Sequence, residues 1–205
     1  MTSPFAPIEK VLAELRQGRM IILVDNELRE NEGDLLVAAE KIRPEHINFM
    51  VTHGRGLVCL AAAGEMLDRC QIPMMMSRNK SKFQSPFTVS VDAAVGIATG
   101  ISAADRSATV QRIIAPQSGP ADFVMPGHIF PLRADEGGVL AREGHTEGGV
   151  DLAKLAGLQP ASVICEIMND DGSMARLDDL TLFARKHDLS LVSIQNVIEA
   201  IKNKS

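Results

Sequence analysis

The chain sets short apolar blocks between polar turns, and two of these blocks lie close together: Met20-Ile21-Ile22-Leu23-Val24 and Leu35-Leu36-Val37-Ala38-Ala39. Continuous apolar character over so few residues predicts buried strands. Ahead of them, Ile8, Val11, Leu12 and Leu15 fall at helical spacing and Gly18 supplies a stop, predicting a helix over Ile8–Gln17. Pro44 opens a second helix, with Ile47, Met50 and Val51 on one face and Gly54 beyond it. Gly56–Ala61 predicts a strand and Glu65–Cys70 a short helix. Phe87–Val91 alternates and predicts a half-buried strand. Ser102 caps a helix bearing Val110, Ile113 and Ile114 that ends before Pro116. Pro116–Gly127 reads as a turn-rich connection. His128–Leu132 reads as a short strand, and Pro131 places it at an edge or a bulge.

The C-terminal third continues the alternation. Thr146 is a candidate N-cap for a helix carrying Val150, Leu152, Ala153 and Leu155, closed by Gly157 and Pro160. Ser162–Met168 predicts a strand, Asn169-Asp170-Asp171-Gly172 a turn, Leu177–His187 a helix and Leu189–Ile194 a strand. Ser193 caps a last helix through Ile201. Strands and helices alternate without a clean βαβ series, which predicts a mixed sheet in an α+β or α/β arrangement. The 205 residues show no repeat and no linker, so a single domain over residues 1–205 is expected. Gln71–Pro86 has no period. It carries Met74-Met75-Met76 and then Arg78, Lys80 and Lys82, and reads either as a lid that attracts an anion or as a solvated loop.

Composition narrows the class. Hydrophobic residues make up 45% and charged residues 23%, ordinary for a globular protein able to bury a core without disulfides. A net charge of -5 with no basic stripe, no Trp and no Tyr gives no support to nucleic-acid binding. No apolar run approaches twenty residues, so no membrane span is expected, and Met1–Pro7 lacks the features of a signal peptide. Three widely spaced cysteines, Cys59, Cys70 and Cys165, read as free thiols of a reducing compartment, and a cytoplasmic location is expected.

Four stretches carry candidate chemistry. Between the two apolar runs, Asp25 to Asp34 holds five carboxylates and Arg29. Such a loop suits a hard divalent cation, and it is equally the composition of a wet turn. Arg142-Glu143-Gly144-His145-Thr146 opens a helix, where free N–H groups, the helix dipole and a guanidinium favour a phosphate, although His145 could cap the helix instead. Glu166 lies in an apolar strand. A carboxylate there is a proton carrier with a shifted pKa or one partner of a structural salt bridge. His128, after Pro126-Gly127, is a structural histidine or a proton shuttle. Ala98-Thr99-Gly100-Ile101-Ser102 could bind an anion, and capping explains it equally. Together these residues suggest a phosphorylated metabolite handled with a divalent metal.

The same stretches resemble the 3,4-dihydroxy-2-butanone 4-phosphate synthase family. The resemblance rests on Arg29-Glu30-Asn31-Glu32-Gly33-Asp34, Phe87–Val91, Thr99-Gly100-Ile101-Ser102-Ala103-Ala104-Asp105-Arg106, Pro126–Leu132, Gly144-His145-Thr146-Glu147 and Cys165–Gly172, from about Ile8 to Ile201. It implies a three-layer α+β fold around a mixed sheet. It implies conversion of ribulose 5-phosphate into 3,4-dihydroxy-2-butanone 4-phosphate and formate, with Mg²⁺ replaceable by Mn²⁺. By resemblance Glu30 and His145 are metal ligands, and Arg29, Glu30, Asp34, Arg142, Glu143, Gly144, His145 and Thr146 are substrate contacts. His128 and Glu166 are by resemblance essential to catalysis. The family pattern implies a homodimer with interface sites, an arrangement in which Glu30 and His145 of one chain could serve different sites. It also implies a stand-alone synthase without a second domain. Asn26 and Leu28 interrupt a run that is more densely acidic in the family. A pentose-phosphate isomerase or aldolase, or a non-catalytic phosphometabolite-binding module, are the competing expectations.

Overall fold

The structure is a computed structural model that describes residues 3–203. Its centre is a seven-stranded mixed sheet in the order β4-β5-β3-β6-β2-β1-β7. The strands are β1 (Ile21–Val24), β2 (Gly33–Ala38), β3 (Cys59–Ala62), β4 (Val91–Ala93), β5 (Phe123–Arg133), β6 (Ala161–Glu166) and β7 (Leu191–Ser193). The pairs β1·β7 and β3·β5 are parallel and the others antiparallel.

Alternate side chains leave a strand on opposite faces, and here both faces are covered. Ile21, Leu23, Leu36 and Ile164 pack with α1 (Ile8–Arg16), α5 (His145–Leu155) and α7 (Ile194–Lys202). Ile22, Val24, Leu35, Val37 and Val163 pack on the other side with α2 (Pro44–Phe49), α3 (Gly64–Arg69), α4 (Ala103–Ile114) and α6 (Leu177–His187). This is the three-layer α+β arrangement expected. It also explains why β1 and β2 read as unbroken apolar runs: each residue of either strand is buried.

Several expectations need correction. Phe87–Val91 is not a continuous strand; Phe87 and Thr88 form isolated bridges, and β4 starts only at Val91. The strand through His128 starts at Phe123, inside the stretch read as a connection, because residues 123–124 pair with Asp92 and Ala93. Pro131 lies in the second strand of the sheet, not at its edge. Its carbonyl accepts from the Thr88 N–H where β4 has given way to irregular chain. The ladder between β4 and β5 does break register, between Val91 and Asp92. Val51 is exposed because α2 widens into a π turn over Met50–Gly54, which rotates it off the apolar face. The N-cap of α5 is Gly144, in extended conformation, so neither His145 nor Thr146 caps that helix.

The Ser102 and Ser193 caps stand as expected. The Ser193 hydroxyl accepts from the Asn196 N–H, and the Asn196 side chain accepts from the Ser193 N–H. No helix among the described residues is long and apolar enough to cross a membrane. Of the 1–205 range expected for the domain, residues 1, 2, 204 and 205 lie outside the described residues. Removing the reciprocal cap by Ser193→Ala is expected to lower unfolding free energy by about 1 kcal/mol. Urea denaturation at constant slope measures it, and an unchanged midpoint would show that the cap contributes nothing.

Candidate active site

The sheet ends where β1 turns into the acidic loop, and β2 and β6 lie side by side there. Asp34 of β2 pairs in register with Glu166 of β6. The N-terminus of α5 arrives over the same end and brings His145 and Thr146. These elements enclose a cleft of about 130 Å³ whose lining includes Arg29, Glu30, Asp34, Arg142, His145 and Glu166.

The acidic loop is a wet turn only at its tip, Asn26 to Leu28. Asp25 is buried, and its carboxylate accepts from the N–H groups of Glu30 and Glu32 and from the Arg29 guanidinium. Those bonds fold the loop back so that Glu30 approaches His145, Oε2 to Nδ1 at 3.5 Å, while Arg29 holds the same Glu30 oxygen at 2.7 Å. Leu28 is 96% exposed at the tip and Asn26 is exposed as well, so both residues that interrupt the acidic run lie outside the cleft lining. Burial pushes the Glu30 carboxyl up, but His145 and Arg29 outweigh it and hold it below the usual carboxylate range. On the other side of the ring, His145 Nε2 lies 3.9 Å from Asp34 Oδ1. Both atoms are buried with no hydrogen-bond partner. Burial pushes Asp34 up to about 7. Burial pulls His145 down, and the charges of Asp34, Glu30 and Asp25 raise it to about 9.

Glu166 differs from its expected environment. It is half-buried at the end of β6, and among the described residues it forms no ion pair. One oxygen accepts from the Leu57 N–H at 2.8 Å and carboxylate and cleft are in contact. A side chain on Gly56 would meet that oxygen at 2.5 Å, so the glycine is what lets the β3 approach pass so near. Arg142 is held by Glu147 at 2.5 Å and by the Phe83 carbonyl at 3.1 Å. Gly144 is buried next to both Arg142 and Glu147, whereas Glu143 is exposed and outside the cleft lining. His128 is not part of the lining either. It stands on β5 against Asp92. Glu30 and His145 of one chain therefore share one site, contrary to the separation that interface sites could allow.

The sequence profile of the 3,4-dihydroxy-2-butanone 4-phosphate synthase family matches residues 9–200. A synthase of that name from Agrobacterium fabrum is 51% identical over 199 residues, which cover 97% of this chain and 93% of that one. The chain belongs to the 3,4-dihydroxy-2-butanone 4-phosphate synthase family. A second synthase of that name, from Neisseria meningitidis serogroup B, is 56% identical over 197 residues, covering 96% of this chain and 54% of the relative. The chain thus spans about half the length of that relative. A solved 3,4-dihydroxy-2-butanone 4-phosphate synthase in complex with two magnesium ions superposes with a TM-score of 0.93 at 39% identity, covering 97% of this chain and 98% of that one.

Within this synthase fold, sequence reasoning missed residues whose role is to hold others. Asp25 was legible as an acid, but not as the buried one that ends an apolar strand. One of its carboxylate oxygens lies within 4.8 Å of a Glu30 oxygen and a His145 ring nitrogen. Glu147 is fully buried, with one oxygen on Arg142 and the other accepting from the Asp135 N–H. Phe83 joins the 71–86 segment to the site: its ring lies 5.5 Å from the Arg29 guanidinium and its carbonyl is on Arg142. An aromatic residue among lysines gave no pattern that marked it.

The His145 environment gives a pH dependence. Its ordinary value of 6.5 is raised to about 9 in the folded protein. The charged ring therefore stabilises the fold fully below the unfolded value, and that contribution is lost as pH rises through about 9. Metal-free protein is expected to lose thermal stability between pH 7 and pH 10, and His145→Gln to lose less over the same interval. Equal falls in the two proteins would show that the charged ring is not held by these carboxylates.

Proposed function

We propose that this chain is a 3,4-dihydroxy-2-butanone 4-phosphate synthase of riboflavin biosynthesis. It converts D-ribulose 5-phosphate into L-3,4-dihydroxy-2-butanone 4-phosphate and formate by enolisation, dehydration and skeletal rearrangement. Family membership supports the reaction. The observation that carries the site is the approach of Glu30 Oε2 to His145 Nδ1 at 3.5 Å, with one potential ligand atom from each of Asp25, Glu30 and His145 lying within 4.8 Å of one another. Carboxylate oxygens suit a hard divalent cation with its waters, and the His145 ring joins them once it gives up its proton.

Glu30 and His145 are the residues that would hold Mg²⁺, or Mn²⁺ in its place. Asp25 is the weaker candidate because its oxygens already accept from Glu30, Glu32 and Arg29. When bound, the cation supplies Lewis-acid stabilisation of the negative charge that develops on sugar oxygens during enolisation. The protein residues do the rest. Arg142 and the N-terminal turn of α5, with Thr146, bind the phosphate end. Arg29 and Asp34 orient the sugar. Glu166 sits at the same cleft with one oxygen fixed by the Leu57 N–H and moves protons at the other. The 71–86 segment closes over the reactive enediol and excludes water. Its link through Phe83 to Arg29 and Arg142 supports that role.

His128 enters as a second proton carrier supplied by another copy of the chain. It is outside its own cleft, and the chain segments near it carry exposed apolar side chains: Val124 and Met125 on β5, Val95 after β4 and Ile101 in the loop before α4. A homodimer that buries this face gives each site one chain's Glu30, His145 and Glu166 with the partner chain's histidine. The three cysteines are buried and unpaired, which fits a reducing cytoplasm.

Glu30→Gln and His145→Ala are each expected to reduce Mg²⁺-dependent formate release from ribulose 5-phosphate at least ~100-fold while circular dichroism stays native. Full activity in either variant would sink the metal assignment. Formate in equal amount to the four-carbon phosphate separates the synthase from an isomerase or aldolase. Glu166→Gln should still bind ribulose 5-phosphate but turn it over ~100-fold or more slowly; a lowered melting temperature at normal rate would make it a structural residue. The shared site has its own test. Refolding His128→Ala together with Glu166→Gln in equal amounts should recover about a quarter of wild-type activity, since half the dimers are mixed and each carries one intact site. No recovery would place both residues on one chain's site.

A further inference from the structure

We propose that Asp92 is a positioning residue for His128, holding the imidazole by two bonds so that its proton resides on Nδ1 and Nε2 is presented as a bare acceptor. Asp92 Oδ2 is 2.6 Å from His128 Nδ1, and Asp92 Oδ1 accepts the His128 backbone N–H at 2.9 Å. A carboxylate offers no proton, so the ring nitrogen facing it is the donor. Asp92 is buried, while the His128 side chain is 42% exposed. The carboxylate thus stays in the protein and the far edge of the ring is open. Among the described residues no Arg or Lys pairs with Asp92, so both of its oxygens are directed at one histidine.

The local chain is built around this pair. In the β4·β5 ladder, Val91 pairs with Ile129 and Asp92 with Val124, which leaves residues 125–128 without a partner on β4. Side chains replace the lost ladder bonds: Ser90 Oγ accepts from the Gly127 N–H and Asp92 from His128. Gly127 runs so close to the Val91 backbone that a Cβ would stand 2.1 Å from its carbonyl carbon. A second segment closes over the pair. Gly100 has φ +92, and a Cβ there would meet Asp92 Oδ2 at 2.2 Å and His128 Nδ1 at 2.5 Å. That loop is fastened by Asp105, whose carboxylate accepts from the Ala98 and Gly100 N–H groups. The Thr99–Arg106 motif and the Pro126-Gly127-His128 motif, far apart in sequence, meet at this one hydrogen-bonded pair.

The chemistry follows the logic of a carboxylate-oriented imidazole. The carboxylate fixes tautomer and ring orientation and stabilises the imidazolium formed when Nε2 accepts a proton; exchanging the carboxylate for an amide in such a pair reverses the tautomer at a cost of up to ~10⁴-fold in turnover. The catalytic part of this inference rests on the reading of His128 above. The bland alternative is that Asp92 merely accepts the His128 N–H at the register break.

The test combines nitrogen NMR with kinetics. In wild-type protein labelled at histidine, His128 is expected as the Nδ1–H tautomer. An Nε2–H tautomer overturns the proposal whatever any variant does. In Asp92→Asn the amide oxygen can still accept the backbone N–H, but the amide nitrogen faces Nδ1 and moves the proton to Nε2. The expected result is a reversed tautomer with kcat reduced ~10²- to 10⁴-fold and KM within a few-fold. A kcat within about threefold of wild type, or an unchanged tautomer in a folded Asp92→Asn protein, overturns it. If that variant fails to fold, the wild-type tautomer decides. Wild-type protein that releases no formate refutes the proposed reaction instead, and the tautomer still judges the pair.

Discussion

One buried carboxylate shapes the site. Asp25 ends an apolar strand, where it cannot reach water, and a buried carboxylate must find donors. It finds them in the loop that follows: the Glu30 and Glu32 N–H groups and Arg29. Satisfying Asp25 therefore folds residues 25–32 back over the sheet end, and the same act places Glu30 beside His145. The carboxylates of the loop have different fates for this reason. Asp25 is consumed in structure, Glu30 is left facing the ring, and Asp34 is carried into the cleft by the strand itself.

That division rests on the sheet being covered on both faces. With α1, α5 and α7 on one side and α2, α3, α4 and α6 on the other, polar groups can gather only beyond the strand ends. The N-terminus of α5 is directed at that end, and Gly144 lets Arg142 fold back against Glu147. The cleft thus brings opposed charges together on buried side chains, which is why Asp34 and His145 are both held far from their ordinary values.

Legibility in the sequence followed the range of the interaction. Helices and strands set by local period were readable: α6 falls on Leu177–His187 and the Ser102 and Ser193 caps are where their side chains suggest. What failed depended on partners distant in sequence. β5 extends to Phe123 because β4 is beside it, and Phe87–Ser90 loses its regular pairing for want of a continuous neighbour. Glu166 had an apolar run around it and was read as buried, yet it is the last residue of β6, where the strand opens to the cleft. The residues of the site were legible as chemistry, and most by family pattern; those that hold them, Asp25, Glu147 and Asp92, were not. A supporting carboxylate has the same letter as a solvated one, and only the fold shows which donors reach it.

The placement of His128 draws these strands together. A single chain brings Glu30, Asp34, Arg142, His145 and Glu166 to one cleft, but His128 stands on β5 outside that lining. The protein invests in that distant histidine two oxygens of a buried aspartate and two glycines that no side chain could replace without a clash. Such fixation is costly for a surface residue with no partner, and it accords with the proposal that His128 serves a second chain. Rigid support matters most where the group and its target belong to different molecules, because subunit packing sets the position of the strand while local hydrogen bonds must set that of the ring.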